Sequence, residues 1–182
     1  DDDTVEAKLC KANYASLRDA VLEEREWTFA VDRIEPAALA TPPIYGFDVA
    51  FQIPSNVLRV LQVSRAGEDV EGGGVALTNT MQGREQRIEW LREGETIVAN
   101  RVDRVYARVL KRITDTTKFS AAFDQALATR IAMDLAIPLT NNQKLQDQMA
   151  AMYGEKMRLA AATDGMQGRS YRTRSDSLIV VR

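Results

Sequence analysis

The side chains with reactive potential in this sequence are carboxylates, arginines, one thiol and a set of methionines, and histidine is absent altogether. The missing imidazole closes Ser-His-Asp and Cys-His catalysis, the usual zinc sites and the usual pH switch. Asp69 with Glu71, and Glu89 with Glu93 and Glu95, are the acid sets that would have to form a hydrolytic pair or a hard-metal site. Both chemistries need a fixed carboxylate separation, which nothing in the spacing imposes, and a solvated charged surface supplies such neighbours routinely. Residues 67–72 (Gly-Glu-Asp-Val-Glu-Gly) have the Gly-x4-Gly spacing of a phosphate loop. Gly73 and Gly74 stand where that loop needs Lys and Ser or Thr, and its three acids would repel phosphate, so it reads as a hairpin connection. Cys10 sits in an acidic helix with no basic arrangement to stabilise a thiolate and reads as inert. Met133, Met149, Met152 and Met157 fall at helical positions, where adaptable packing is the ordinary meaning and soft-metal ligation the remote one. No cofactor or metal is expected, and no enzyme activity.

Twenty-four Lys and Arg against 26 Asp and Glu leave a formal charge of −2 over 182 residues, with 45% hydrophobic and 27% charged. That is ordinary globular usage and enough for one cored domain. Apolar stretches are far shorter than the roughly 18 residues of a membrane span, and no signal peptide opens the chain. One cysteine forms no internal disulfide, which points to a cytoplasmic origin. Asp1 is not a methionine, so the numbering is expected to start inside a longer product. Charge is uneven: residues 1–26 hold eight acids and four bases, residues 101–112 five bases and one acid, and residues 168–182 four arginines and Asp176. This reads either as two surfaces for different partners or as solvated faces. Only Tyr106 and Tyr171 interleave the arginines, and no DNA-binding motif accompanies them, so sequence-specific DNA recognition is not expected.

The elements that must position these residues begin with a helix over 4–26, where Val5, Leu9, Ala12, Leu17, Ala20 and Val21 recur at helical spacing before Trp27 and Phe29. Pro36, Pro42, Pro43, Gly46 and Pro54 then break regular structure, while Tyr45, Phe47 and Phe51 are anchors expected to bury. Strands are predicted at 59–63, 75–78, 87–91 and 105–113, giving one small antiparallel sheet. Ser120 caps a helix over 120–137 with Phe123, Leu127, Ile131 and Leu135 at four-residue spacing, stopped by Pro138. Thr140 and Gln143 have capping-box spacing for a helix over 141–163, which Asp164 and Gly165 end. Alanines 121, 122, 128, 132 and 136 are expected to let helices approach closely. The fold class is therefore α+β but mainly α-helical: long helices in a bundle, with a small antiparallel sheet and an extended tail. That tail, 169–182, is polar and basic and ends in the apolar run Leu178, Ile179, Val180 and Val181.

The order of segments resembles a known family. Glu26-Trp27-Thr28-Phe29-Ala30, then Pro43-Ile44-Tyr45-Gly46-Phe47, then residues 51–61 running from Phe51 through Pro54 into a strand, are similar to the tail tubular protein A family of short-tailed bacteriophages, the head-to-tail adaptors. The likeness continues through Glu71-Gly72-Gly73 and residues 77–79, through residues 113–116, and through Phe119, Ser120, Phe123, Ala126 to Ala128 and residues 130–140. It ends with Tyr153, residues 160–162, Asp164, Gly165, Gln167 and Gly168, and so covers nearly the whole chain. Phe51 and Asn56 stand where the family usually has Tyr and Asp, and residues 81–103 are longer than its usual link between strands.

The resemblance implies a structural virion protein in the phage neck or tail, assembled in the host bacterial cytoplasm. Residues 1–168 would form a single adaptor domain, with helix 4–26, an extended and β region over 31–113, and helices 120–137 and 141–163. Its implied partners are copies of itself in a ring of twelve, the portal protein, the tail nozzle (tail tubular protein B), and double-stranded DNA passing through the lumen without sequence-specific contact; no membrane is involved. The residues expected at a partner interface are Arg169, Tyr171, Arg172, Arg174, Leu178, Ile179, Val180 and Val181. The alternatives are an adaptor with an added cell-wall or polysaccharide hydrolase activity, and a helical interaction module unrelated to phage.

Overall fold

Thr4 starts the first helix by accepting the Ala7 amide on its hydroxyl at 3.3 Å, and the computed structural model, which describes residues 4–65 and 88–167, runs α1 from Val5–Glu23. Among the described residues seven strands follow or intervene: β1 (Val31–Ile34), β2 (Ala37–Ala38), β3 (Val49–Gln52), β4 (Val57–Arg65), β5 (Trp90–Glu93), β6 (Thr96–Ala99) and β7 (Val105–Lys111). A short 3-10 turn, Thr116–Lys118, leads into α2 (Ala121–Thr140) and α3 (Gln143–Gly165). All strand pairs are antiparallel, in one sheet of order β1-β7-β4 and a second of order β2-β3-β6-β5.

The expectation of a helical bundle with one small sheet is thereby corrected: this is an α+β fold of three helices and two antiparallel sheets. The reason lies in residues 31–58. Pro36, Pro42, Pro43, Gly46 and Pro54 fall in the connections β1–β2, β2–β3 and β3–β4. They punctuate short strands instead of dissolving them, as proline does where no ladder N–H is needed. Strand β6 replaces an expected connection, and Gly94 at φ 58° makes the β5–β6 turn. The strand predicted at 75–78 lies outside the described residues, and the one at 87–91 overlaps β5 at Trp90 and Leu91.

Three layers result. Phe51, Ile97 and Ala99 of the second sheet pack on Val57, Val63, Val105, Ala107 and Val109 of the first, while the other face of the first sheet meets the helices through Leu110. The helical core joins Val21, Leu22, Trp27, Ala30, Phe123, Leu127 and Ala160. The helices thus enclose one core of two. Trp27 is fully buried and donates its indole N–H to the Val21 carbonyl at 3.0 Å. Its ring meets Phe123 edge-on at 5.1 Å, and Phe29 and Phe119 complete the aromatic cluster. Across this cluster Asp164, buried in α3, accepts the Thr28 amide at 3.2 and 3.1 Å and the Thr28 hydroxyl at 2.7 Å.

Helix α2 runs through Pro138 to Thr140 instead of stopping at 137. A proline in the last turn forfeits a single i→i−4 bond, and Asn141 (φ 48°) closes the turn by donating to the Ile137 carbonyl at 2.9 Å. The Thr140 hydroxyl donates to the Ala136 carbonyl, so Asn142 and not Thr140 caps α3, accepting the Leu145 amide at 3.2 Å. Of the alanines expected to bring helices together, Ala136 is buried, while Ala121, Ala128 and Ala132 face solvent; Ala126, Ala160 and Ala161 are the other buried ones. Leu127→Ala should cost about 2 to 5 kcal/mol in denaturant unfolding, and Ile131→Ala, half-buried beside it, clearly less. Asp164→Ala should lower the same midpoint by about 1 to 3 kcal/mol, because the Thr28 amide loses its acceptor.

Candidate functional site

The eight residues expected at a partner interface, Arg169, Tyr171, Arg172, Arg174, Leu178, Ile179, Val180 and Val181, lie outside the described residues, as do Asp69, Glu71 and the glycine-rich loop. Glu89 precedes β5 and Glu93 ends it, so about 13 Å of extended chain separates them. Glu95 lies beyond the Gly94 turn, and all three are exposed. Among the described residues no three His, Cys, Asp or Glu side chains form a metal-binding group, and no helix is long and apolar enough to cross a membrane.

The basic segment 101–112 proves to be the counterpart of the acids near the chain start. Arg104 donates to Glu35 at 2.7 Å, Arg108 pairs with Glu26 at 3.1 Å, Lys111 pairs with Asp32, and Arg112 donates to Asp19 at 2.6 Å. Asp19 also receives both donors of the buried Arg18, at 2.9 and 2.7 Å. The hydrogen bond to Lys111 holds the Asp32 carboxyl below its ordinary range, helped by the Arg33 amide. Glu35 likewise raises Arg104. The charge asymmetry of the sequence is therefore largely consumed inside the fold.

Arg101 is the exception. Its side chain has no hydrogen-bond or ion-pair partner among the described residues, and its backbone is left-handed, φ 58°. A non-glycine residue holds that conformation only when its surroundings over-determine it. Here Asp48 accepts the Arg101 amide at 3.2 Å and Arg65 donates to the Arg101 carbonyl at 3.1 Å. Asn100 accepts the Asp48 amide at 2.9 Å and donates to the Gly46 carbonyl at 3.3 Å, fixing the β2–β3 loop to the same spot. Between the loop and the strand ends opens a cleft of about 690 Å³ lined by Pro43, Tyr45, Asp48, Arg65, Glu89 and Arg101 among others.

Above the cleft stands the loop tip. Ile44 is 100% and Tyr45 88% exposed, so Tyr45 is not the buried anchor expected of it, whereas Phe51 is fully buried and Phe47 half-buried. The tip is stiffened by Pro42 and Pro43 and turned at Gly46, whose φ of 84° favours glycine. Sequence reasoning passed over Arg101 and misjudged Tyr45. The prolines and Gly46 flanking two large apolar residues were the available sign of a projecting turn.

A second polar assembly ties the helices together. Tyr153 of α3 donates to Glu24 at 2.7 Å, and the Arg130 guanidinium lies 5.6 Å from the centre of the Tyr153 ring. Burial first, and then the bond to Glu24, push the Tyr153 hydroxyl above its ordinary range. Its contribution to stability is therefore complete below about pH 10 and is lost as pH rises beyond the free tyrosine value. Asp32 has the opposite sign: its lowered value contributes stability above about pH 4, lost as acid protonates it. Asp32→Asn should thus lower the thermal midpoint at neutral pH and cease to matter near pH 3. Tyr153→Phe should cost about 1 kcal/mol at neutral pH and flatten the alkaline loss of stability seen by circular dichroism.

With that geometry established, comparison with known proteins adds no relative: a scan against protein-family models finds no match, and a search of curated proteins finds none.

Proposed function

We propose that this chain is a head-to-tail adaptor subunit of a short-tailed bacteriophage, a structural ring component placed between portal and tail nozzle, through which the genome passes. The observation that carries the reading is the meeting of the segments that resemble the adaptor family. Trp27, Phe29 and Ala30 come from the first segment, Phe119, Phe123 and Leu127 from the second, and Ala160 and Asp164 from the third. They are far apart in sequence and assemble into one unit, the aromatic cluster with its Thr28–Asp164 clasp. A chance likeness scattered over the chain has no reason to converge in this way.

The chemistry of the described surface supports a binding role. The basic residues of 101–112 are mostly spent on intramolecular acids, and the exposed Ile44–Tyr45 tip is a feature of interaction surfaces. Under this reading the tail 169–182 docks outside its own subunit, on a neighbour or the portal. Deleting it should leave the thermal midpoint of the monomer nearly unchanged and abolish incorporation into a portal-bound ring. Electron microscopy of the purified protein mixed with its portal checks both points. No ring on the portal with the full chain, or normal rings from the tailless one, would reject the corresponding claim.

A further inference from the structure

We infer that the Ile44–Tyr45 tip, with Arg101 beside it, receives the amino-terminal half of α1 from a second copy of this chain. The tip supplies two consecutive large apolar side chains outside either core. It is a held structure: Asn100 bonds to both Asp48 and Gly46, and Asp48 in turn fixes Arg101. The two acids of the cleft are engaged locally, Asp48 with the Arg101 amide and Glu89 with the Asn100 side chain at 3.5 Å. The guanidinium of Arg101 is the charge left over, so the surface presents apolar bulk beside an unpaired cation.

The first half of α1 is its chemical complement. From Val5 to Ser16 no residue is buried, and burial begins only at Leu17. Val5 is 66% exposed. It lies one helical turn from Leu9, and Glu6 stands in the first turn immediately after Asp1, Asp2 and Asp3 in the sequence. This helix end therefore presents apolar side chains headed by acids. It does not line the cleft of its own chain. Its anchored end bonds to Arg112 through Asp19 and to Arg59 through the Glu23 carbonyl, while the cleft lies at Arg65. Six residues of β4 separate Arg59 from Arg65, about 20 Å. Tip and helix end are different surfaces of one molecule, so their union between copies is heterologous and passes from subunit to subunit, closing into a ring where the rotation allows. As a contact within a phage ring, it rests on the adaptor reading.

Sedimentation of the full chain over a range of concentration and salt tests the contact. Wild-type protein should self-associate, less so at high salt. Arg101→Glu and Glu6→Arg should each weaken association about tenfold or more, Tyr45→Ala should do so without the salt dependence changing, and the Arg101→Glu/Glu6→Arg pair should recover a substantial part of the loss. Three results would overturn the inference. One is association unaffected by these substitutions. Another is no recovery in the paired variant when circular dichroism shows both single variants folded. The third is a monomer midpoint that falls on Tyr45→Ala or Arg101→Glu, which would mean that the tip is covered within its own chain. Rings on the portal that tolerate Tyr45→Ala and Arg101→Glu would reject this contact and leave the adaptor reading standing, whereas a wild-type chain that stays monomeric with and without portal would reject both.

Discussion

Strand β7 has to be apolar on both faces, and the rest of the molecule is arranged around that requirement. Val105, Ala107 and Val109 fill the space between the sheets, and Leu110 faces the helices. As the middle strand of its sheet it has no open edge, since β1 and β4 pair along both sides. The partner strand β4 serves the same two cores by a different device. Two register shifts, between Val57 and Arg59 and between Val60 and Gln62, insert Leu58 and Leu61. Val57, Val60 and Val63 then pack on the sheet core, and Leu58 and Leu61 on the helical one. A bulge sets two residues against one, so the apolar spacing on β4 becomes three where an unbroken strand would show two. Arg92 secures the first irregularity from the other sheet, donating to the Leu58 carbonyl at 2.6 Å.

The helical layer is joined to this sandwich by one tight junction. Trp27 closes α1 by reaching back to the Val21 carbonyl, and Ala30 and Val31 both donate to the Trp27 carbonyl, at 2.9 and 3.1 Å, as the chain turns into β1. The same turn presents Phe29 to Phe123 and Thr28 to Asp164. Trp27 is thus the point through which helix, strand and hairpin share their positions. Edge-to-face aromatic pairs add about 0.5 to 1.5 kcal/mol each beyond buried area, and the Asp164 bonds fix the end of α3 that would otherwise fray.

The helices were legible because their signals are local: Thr4 and Ser120 cap, and Phe123 and Leu127 repeat at helical spacing. The sheets were legible only in part. In β4 the bulges replace strand alternation with a spacing of three, in β7 burial on both faces erases it, and β1, β2, β3 and β6 are four residues or shorter. Prolines between such short strands look like the end of structure when they are only its corners. The interior of the helical core was readable residue by residue, but the ion pairs between residues 19–35 and 104–112 were not. Pairing across some 70 to 90 residues depends on the fold and leaves no mark in local spacing.

Those pairings also decide which charges remain for others. A block of like charge in a sequence suggests an electrostatic surface, yet Asp19, Glu26, Asp32 and Glu35 meet Arg112, Arg108, Lys111 and Arg104 within one chain. Exposed pairs of this kind add little stability individually. Their larger effect is to remove the two blocks from the molecule's outward field, leaving a short inventory of unspent groups among the described residues. Arg101, held in an unfavourable backbone conformation, and the apolar tip beside it belong to that inventory. Strain of that kind persists only where several bonds enforce it, and Asp48, Asn100 and Arg65 supply them. A fold that neutralises four of the five bases in this segment and props up the fifth, next to two exposed apolar side chains, concentrates its capacity for association at one corner.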